Sequence, residues 1–120
     1  MEIVNHQIND IEIAELISNN LIINTIDDGA DLVGNLFYGG FNRVVIYEKN
    51  IAPEFFDLKS GLAGEILQKF TNYRVYLIIV GDFSKYHSKS LKAFIYESNN
   101  SRHVNFVASQ AEALKILSTK

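Results

Sequence analysis

The chain opens with two runs of apolar and polar residues that suit β-strands, over 2–7 and 11–17, with the turn-forming pair Asn9 and Asp10 between them. A hairpin is the simplest arrangement. Alternation breaks down in the second run, where Ile11 and Ile13 give way to Ala14 and Leu16. Leu21, Ile22 and Ile23 suggest a third short extended piece. Thr25 then offers a helix N-cap, and Asp28 completes a capping box with Asp in the place of Glu. Acids in that first turn also suit the helix dipole. Ile26, Ala30, Val33 and Phe37 recur at helical spacing, and Gly39-Gly40 is a natural stop.

The run over 43–47, Arg-Val-Val-Ile-Tyr, is apolar without alternation. Such a run belongs to a central strand covered on both faces. After a polar loop, a helix beginning near Ser60 places Leu62, Ala63, Ile66, Leu67 and Phe70 on one face and Glu65, Gln68 and Lys69 on the other. A second continuous strand is expected over 74–80, ending at Gly81-Asp82. Ser88 or Ser90 caps a helix carrying Leu91, Phe94 and Ile95. A turn over 99–102 leads to a third strand over 104–108. Ser109 and Glu112 form a capping box for a last helix anchored by Leu114 and Leu117. Strands alternating with helices imply a mostly parallel sheet with right-handed crossovers, made mixed by the hairpin.

Composition narrows the function classes. A chain of 120 residues, about half apolar, reads as one domain over 1–120 with a real core. The net charge of −3 argues against nucleic acid as the main partner, because phosphate binding needs a basic face. With no cysteine, disulfides and thiolate metal sites are excluded. The segment 1–6 has no basic stretch before an apolar run, so no signal peptide is expected, and no run is long enough to cross a bilayer. A cytoplasmic protein is the expectation. His6, His87 and His103 sit in no metal-ligand spacing, so no metal and no cofactor are expected. The phosphate-loop, dinucleotide and nucleophile-elbow patterns are all absent. Lys85, Lys89 and Lys92 read as a solvated face.

Candidate chemistry gathers where the strands end, since open α/β sheets place their sites there. Those ends supply Glu48, Lys49 and Asn50, then Asp82, then Ser109. Ser60 stands at a helix start, where a hydroxyl caps a free N–H and a phosphate would gain from the dipole. Asp57 is placed to support Ser60 or to end a turn. Glu48 and Asp82 become neighbours only if their strands pair, in which case one carboxyl would be raised. Phe55 and Phe56 are adjacent in a loop and cannot easily both point inward, so one of them is expected on an apolar partner surface.

The element order and two segments resemble the STAS domain, the fold of bacterial anti-anti-sigma factors. The segment Asp57-Leu58-Lys59-Ser60-Gly61-Leu62-Ala63-Gly64 is similar to the family's Asp, Ser and Gly-Leu-Gly at a helix start. The segment from Val104 to Leu114 is similar to its last strand and Thr-x-x-Glu-Ala-Leu helix. The chain departs from the pattern by one extra residue between Asp57 and Ser60, and by Tyr47-Glu48-Lys49 at the strand end. The runs over 48–57, 64–70 and 81–86 resemble a small bacterial family of unknown function, DUF4180.

Together these readings give an α/β fold, STAS-like, with a mixed, mostly parallel sheet of four to five strands and about four helices. The resemblance implies that Ser60 stands where regulatory members are phosphorylated by a partner kinase. The expected role is a non-catalytic module of bacterial regulation. It docks a protein partner, such as a kinase or an anti-sigma-like protein, through the 48–60 loop and the helix after it. The alternatives are a small-ligand binder or enzyme using Glu48, Ser60 and Asp82, and a homodimer through Phe55-Phe56.

Overall fold

A two-residue turn starts the architecture. The computed structural model describes residues 1–101 and 103–120, so Arg102 of the turn expected over 99–102 lies outside the described residues. β1 (Glu2–Ile8) and β2 (Ile11–Ile17) pair antiparallel, from Glu2 opposite Ile17 to Ile8 opposite Ile11. Asn9 and Asp10 between them have φ of 54° and 65°. Left-handed geometry at both positions matches the twist of the flanking strands, and Asn and Asp tolerate it best after glycine.

β3 (Arg43–Tyr47), β4 (Tyr76–Val80) and β5 (Val104–Val107) then add in parallel, giving the order β1-β2-β3-β4-β5. Each strand is therefore the spatial neighbour of the next in sequence. Right-handed crossovers in one direction put their helices on one face. Accordingly α1 (Ile26–Tyr38), α2 (Leu62–Asn72) and α3 (Lys89–Asn99) share one apolar cluster with Val44, Ile46, Leu77, Ile79, Val104 and Phe106. α4 (Gln110–Leu117) covers the other face, where Ala113 and Leu117 pack with Ile13, Val45, Ile78, Val80 and Val107. The broken alternation of β2 follows, because it is buried on both faces: Ala14 and Leu16 join the first cluster and Ile13 the second. Each buried Ile, Leu or Phe contributes roughly 1.5–3 kcal/mol.

Several expectations shift. The inward face of α1 is Leu32, Val33 and Leu36 with Gly29 and Gly34, while Ile26 and Phe37 are 38% and 45% exposed. The reason is Gly29: a Cβ there would stand 2.9 Å from Ile66 Cγ1, so α1 turns a bare backbone toward α2 to pack closely. Residues 21–23 contribute a single parallel bridge, Ile23 to Ile51. β4 begins at Tyr76 and not at Arg74, whose φ of 57° turns the chain out of α2. α2 begins at Leu62, two residues after Ser60, because Gly61 at φ 77° separates a short turn from the helix. Capping follows the reading more closely. Thr25 and Asp28 form the full box, Ser88 accepts from the Leu91 N–H, and Ser109 from the Glu112 N–H. No helix among the described residues is long and apolar enough to cross a membrane.

Candidate functional site

The connection from β3 to α2 is a chain of three short 3-10 helices, Glu48–Asn50, Pro53–Phe56 and Leu58–Ser60. Asn50 holds it from below. It is buried, its side-chain amide donates to the Ser18 and Asn20 carbonyls at 2.9 Å, and its backbone carbonyl accepts from the Ile22 and Ile23 N–H groups. Asn50 is thus a brace for the loop and not a partner-facing residue. The expectation for Phe55-Phe56 is also corrected: both are buried, at 1% and 5% exposure. Successive side chains of a 3-10 turn diverge by about 120°. This turn lies between two apolar bodies, so Phe55 enters the core while Phe56 stacks on Tyr86 with ring centres 5.1 Å apart. Neither ring therefore offers a free face for a homodimer through the two of them.

Glu48 lies at the end of β3 and is largely covered. Its carboxylate accepts from the Tyr86 hydroxyl and pairs with Lys85 Nζ at 2.8 Å. Gly81 makes room for it: a Cβ there would sit 2.6 Å from Glu48 Cβ. Burial, and then the hydrogen bond and charge of Glu48, push the Tyr86 phenol above its ordinary value. Beside this pair is a shallow cavity of about 270 Å³, lined by Leu21, Lys49, Ile51, Pro53 and Phe56 together with Glu48, Lys85 and Tyr86.

The other two members of the expected polar edge go elsewhere. β3 and β4 do pair, with Tyr47 opposite Val80. Asp82 nevertheless turns to its own segment, accepting from the Ser84 hydroxyl at 2.6 Å and the Ser84 N–H at 3.1 Å. The hydroxyl and then the N–H of Ser84 hold this exposed carboxyl below its ordinary value. Asp82 lines a separate depression with Phe83, Phe106 and Glu112. Ser60 is exposed: its hydroxyl donates to the Glu54 carbonyl at 2.7 Å and accepts from the Leu62 N–H at 3.2 Å. It therefore reaches the start of α2 as a local cap, although Gly61 occupies the cap position. Asp57 caps the last short turn through the Lys59 N–H. Neither Ser60 nor Asp82 lines the cavity beside Glu48.

A second polar cluster was not among the candidates. Glu15 is buried in the middle of the sheet on the α4 face, at 4% exposure. His6 Nε2 lies 2.8 Å from one of its oxygens, the Tyr47 hydroxyl donates to the other at 2.5 Å, and Gln110 Nε2 is 3.0 Å from both. Burial is the largest influence on its carboxyl and acts upward. The bonds from Tyr47, His6 and Gln110, with the imidazole's charge, outweigh it and leave the group below its ordinary value. Tyr47 is pushed up, by burial first and then by Glu15. The signal was present in the sequence, since Glu15 shares a strand face with Ile11, Ile13 and Ile17. An acid on an apolar face needs buried partners. Among the described residues, no group of three or more His, Cys, Asp or Glu side chains is arranged to hold a metal ion.

The model of a domain of unknown function, DUF4180, matches residues 8–117. No curated protein and no solved structure matches the chain.

Proposed function

Since the chain belongs to the DUF4180 family, whose function is unknown, we propose from its own geometry that it is a non-catalytic, cytoplasmic regulatory module with a STAS-like fold, docking a protein partner through the 48–60 loop and the start of α2. One observation carries the reading. The loop is anchored beneath by Asn50, Phe55 and Phe56, while Lys49, Glu54, Asp57, Lys59 and Ser60 are exposed on its outer side. A surface ordered before binding loses little entropy on docking, which favours affinity.

Ser60 is the switch in this reading. A phosphoryl group there would displace the hydroxyl's bond to the Glu54 carbonyl and add about −2 charge beside Glu54 and Asp57. The first N–H groups of α2 would hold it. A partner fitted to the unmodified loop then meets repulsion. Capture from native cell extract, with intact mass of the recovered chain, tests this. Ser60→Ala should retain a partner that Ser60→Asp releases, and equal capture by both would count against it.

A second reading rests on the cavity beside Glu48. A small cationic ligand could replace Lys85, whose side chain is 58% exposed, against the carboxylate. A fragment screen by NMR that left the amides of 48–56 and 85–86 unmoved would remove it.

A further inference from the structure

The two edges of the sheet are built differently. β5 is four residues long, packed by α3, and contacted by α4. Short, covered edges of this kind resist pairing with other chains. β1 is seven residues long, is held chiefly by β2, and runs with an unbroken register from Glu2 to Ile8. It carries no Lys, Pro or bulge, the usual devices that blunt an edge.

The hairpin determines which backbone groups face outward. The turn makes Ile8 and Ile11 a hydrogen-bonded pair, and such pairs alternate along an antiparallel ladder. His6 with Ile13, Val4 with Glu15 and Glu2 with Ile17 therefore bond inward. The N–H and C=O groups of Ile3, Asn5 and Gln7 are left pointing away from β2.

We infer that β1 pairs antiparallel with β1 of a second copy about a twofold axis at Val4, joining two five-stranded sheets into one. In this register Ile3 and Asn5 of one copy exchange backbone bonds with Asn5 and Ile3 of the other. All four are outward-facing residues, so no inward bond is broken. Val4 meets Val4 of the second copy as a closely spaced pair. Glu2 comes opposite His6 of the second copy, twice, so on each side of an apolar centre an acid faces an imidazole that meets Glu15 of its own chain through Nε2. A register centred on Asn5 would also satisfy the backbone, but it sets Glu2 against Ile8 and Val4 against His6. Charge complementarity selects the Val4 register and a second copy as the occupant.

The chain has no cysteine, so single introduced thiols report the register directly. Val4→Cys would place two thiols across a pair whose Cα atoms are about 4.5 Å apart, within disulfide range. Asn5→Cys would leave them on a diagonal of roughly 7–8 Å, outside it. Under mild oxidation Val4→Cys should link roughly tenfold faster or more than Asn5→Cys. In sedimentation the unmodified chain should run as a dimer. Asn5→Pro, which removes only an outward N–H, should run as a monomer with an unchanged circular dichroism spectrum. If that variant fails to fold, the thiol pair decides alone. A monomer at every concentration, linking no faster at position 4 than at 5, or a dimer that survives Asn5→Pro in a folded chain, overturns the inference.

Discussion

Glu15 and Glu48 each accept from a tyrosine hydroxyl, of Tyr47 and of Tyr86, and each has a basic side chain beside it, His6 or Lys85. Their surroundings differ. The donors to Glu15 come from β1, β3 and α4, so freeing it means moving three elements. The donors to Glu48 come from two adjacent residues of one surface segment, and Lys85 is largely in water. The same chemistry therefore fastens the sheet in one place and lines a surface cavity in the other. What separates the two is how many elements supply the donors and how much water can take their place.

The largest effect that would break this comparison belongs to Glu15→Ala. It leaves the Tyr47 hydroxyl and the Gln110 amide without their buried acceptor, at a cost of about 3 kcal/mol. The midpoint of thermal unfolding should fall by on the order of 10 °C. Acid sharpens the same point. Because the native carboxyl of Glu15 lies below its ordinary value of 4.5, its stabilisation is present above that pH and is lost as pH falls through the native value. Urea titrations between about pH 6 and about pH 3 should show a steeper loss in the unmodified chain than in Glu15→Gln.

Next in size is Gly81→Ala. The new methyl would collide with Glu48 Cβ and force the carboxylate off Tyr86 and Lys85, an overpacking cost of about 2 kcal/mol. The readout is urea unfolding, with the Tyr86 ring signal shifting at once. The tyrosine pair gives the smallest contrast. Tyr47→Phe should cost about 2 kcal/mol, as a bond to a buried charge does, and Tyr86→Phe about 1 kcal/mol. Equal losses would erase the distinction between the two sites. Both phenols are raised, so in an absorbance titration of the six tyrosines each variant should remove one late-ionising group. A raised phenol stabilises the fold below its ordinary value of 10.0, and that contribution is lost as pH climbs through the native value.

Much of the fold was legible because apolar runs over 43–47, 74–80 and 104–108 have no other use than buried parallel strands. The face of α1 was not, because two glycines form part of it, and a search for large apolar residues passes over a contact made by backbone. The loop was located but misread. Both phenylalanines are buried because Tyr86, from the segment after β4, supplies a lid that local sequence does not reveal. The edge of Glu48, Ser60 and Asp82 was predicted from strand ends and a helix start, but Ser60 and Asp82 bond within their own short segments while Glu48 is taken by Tyr86 from the segment after β4. Glu15 announced itself as an acid among isoleucines, but its partners lie 9, 32 and 95 residues away, beyond any local pattern.

The central claim is that the 48–60 loop is a pre-formed surface, and amide hydrogen exchange tests it most directly. The Ile22 and Ile23 N–H groups donate to the backbone carbonyl of Asn50, which its braced side chain holds in place, and Ala52 N–H donates to the backbone carbonyl of Ile23. These amides should exchange as slowly as those in the middle of β3 and β4, and Asn50→Ala should release all three together. Exchange of these three amides at the rate of open chain, in the unmodified protein, would contradict the account.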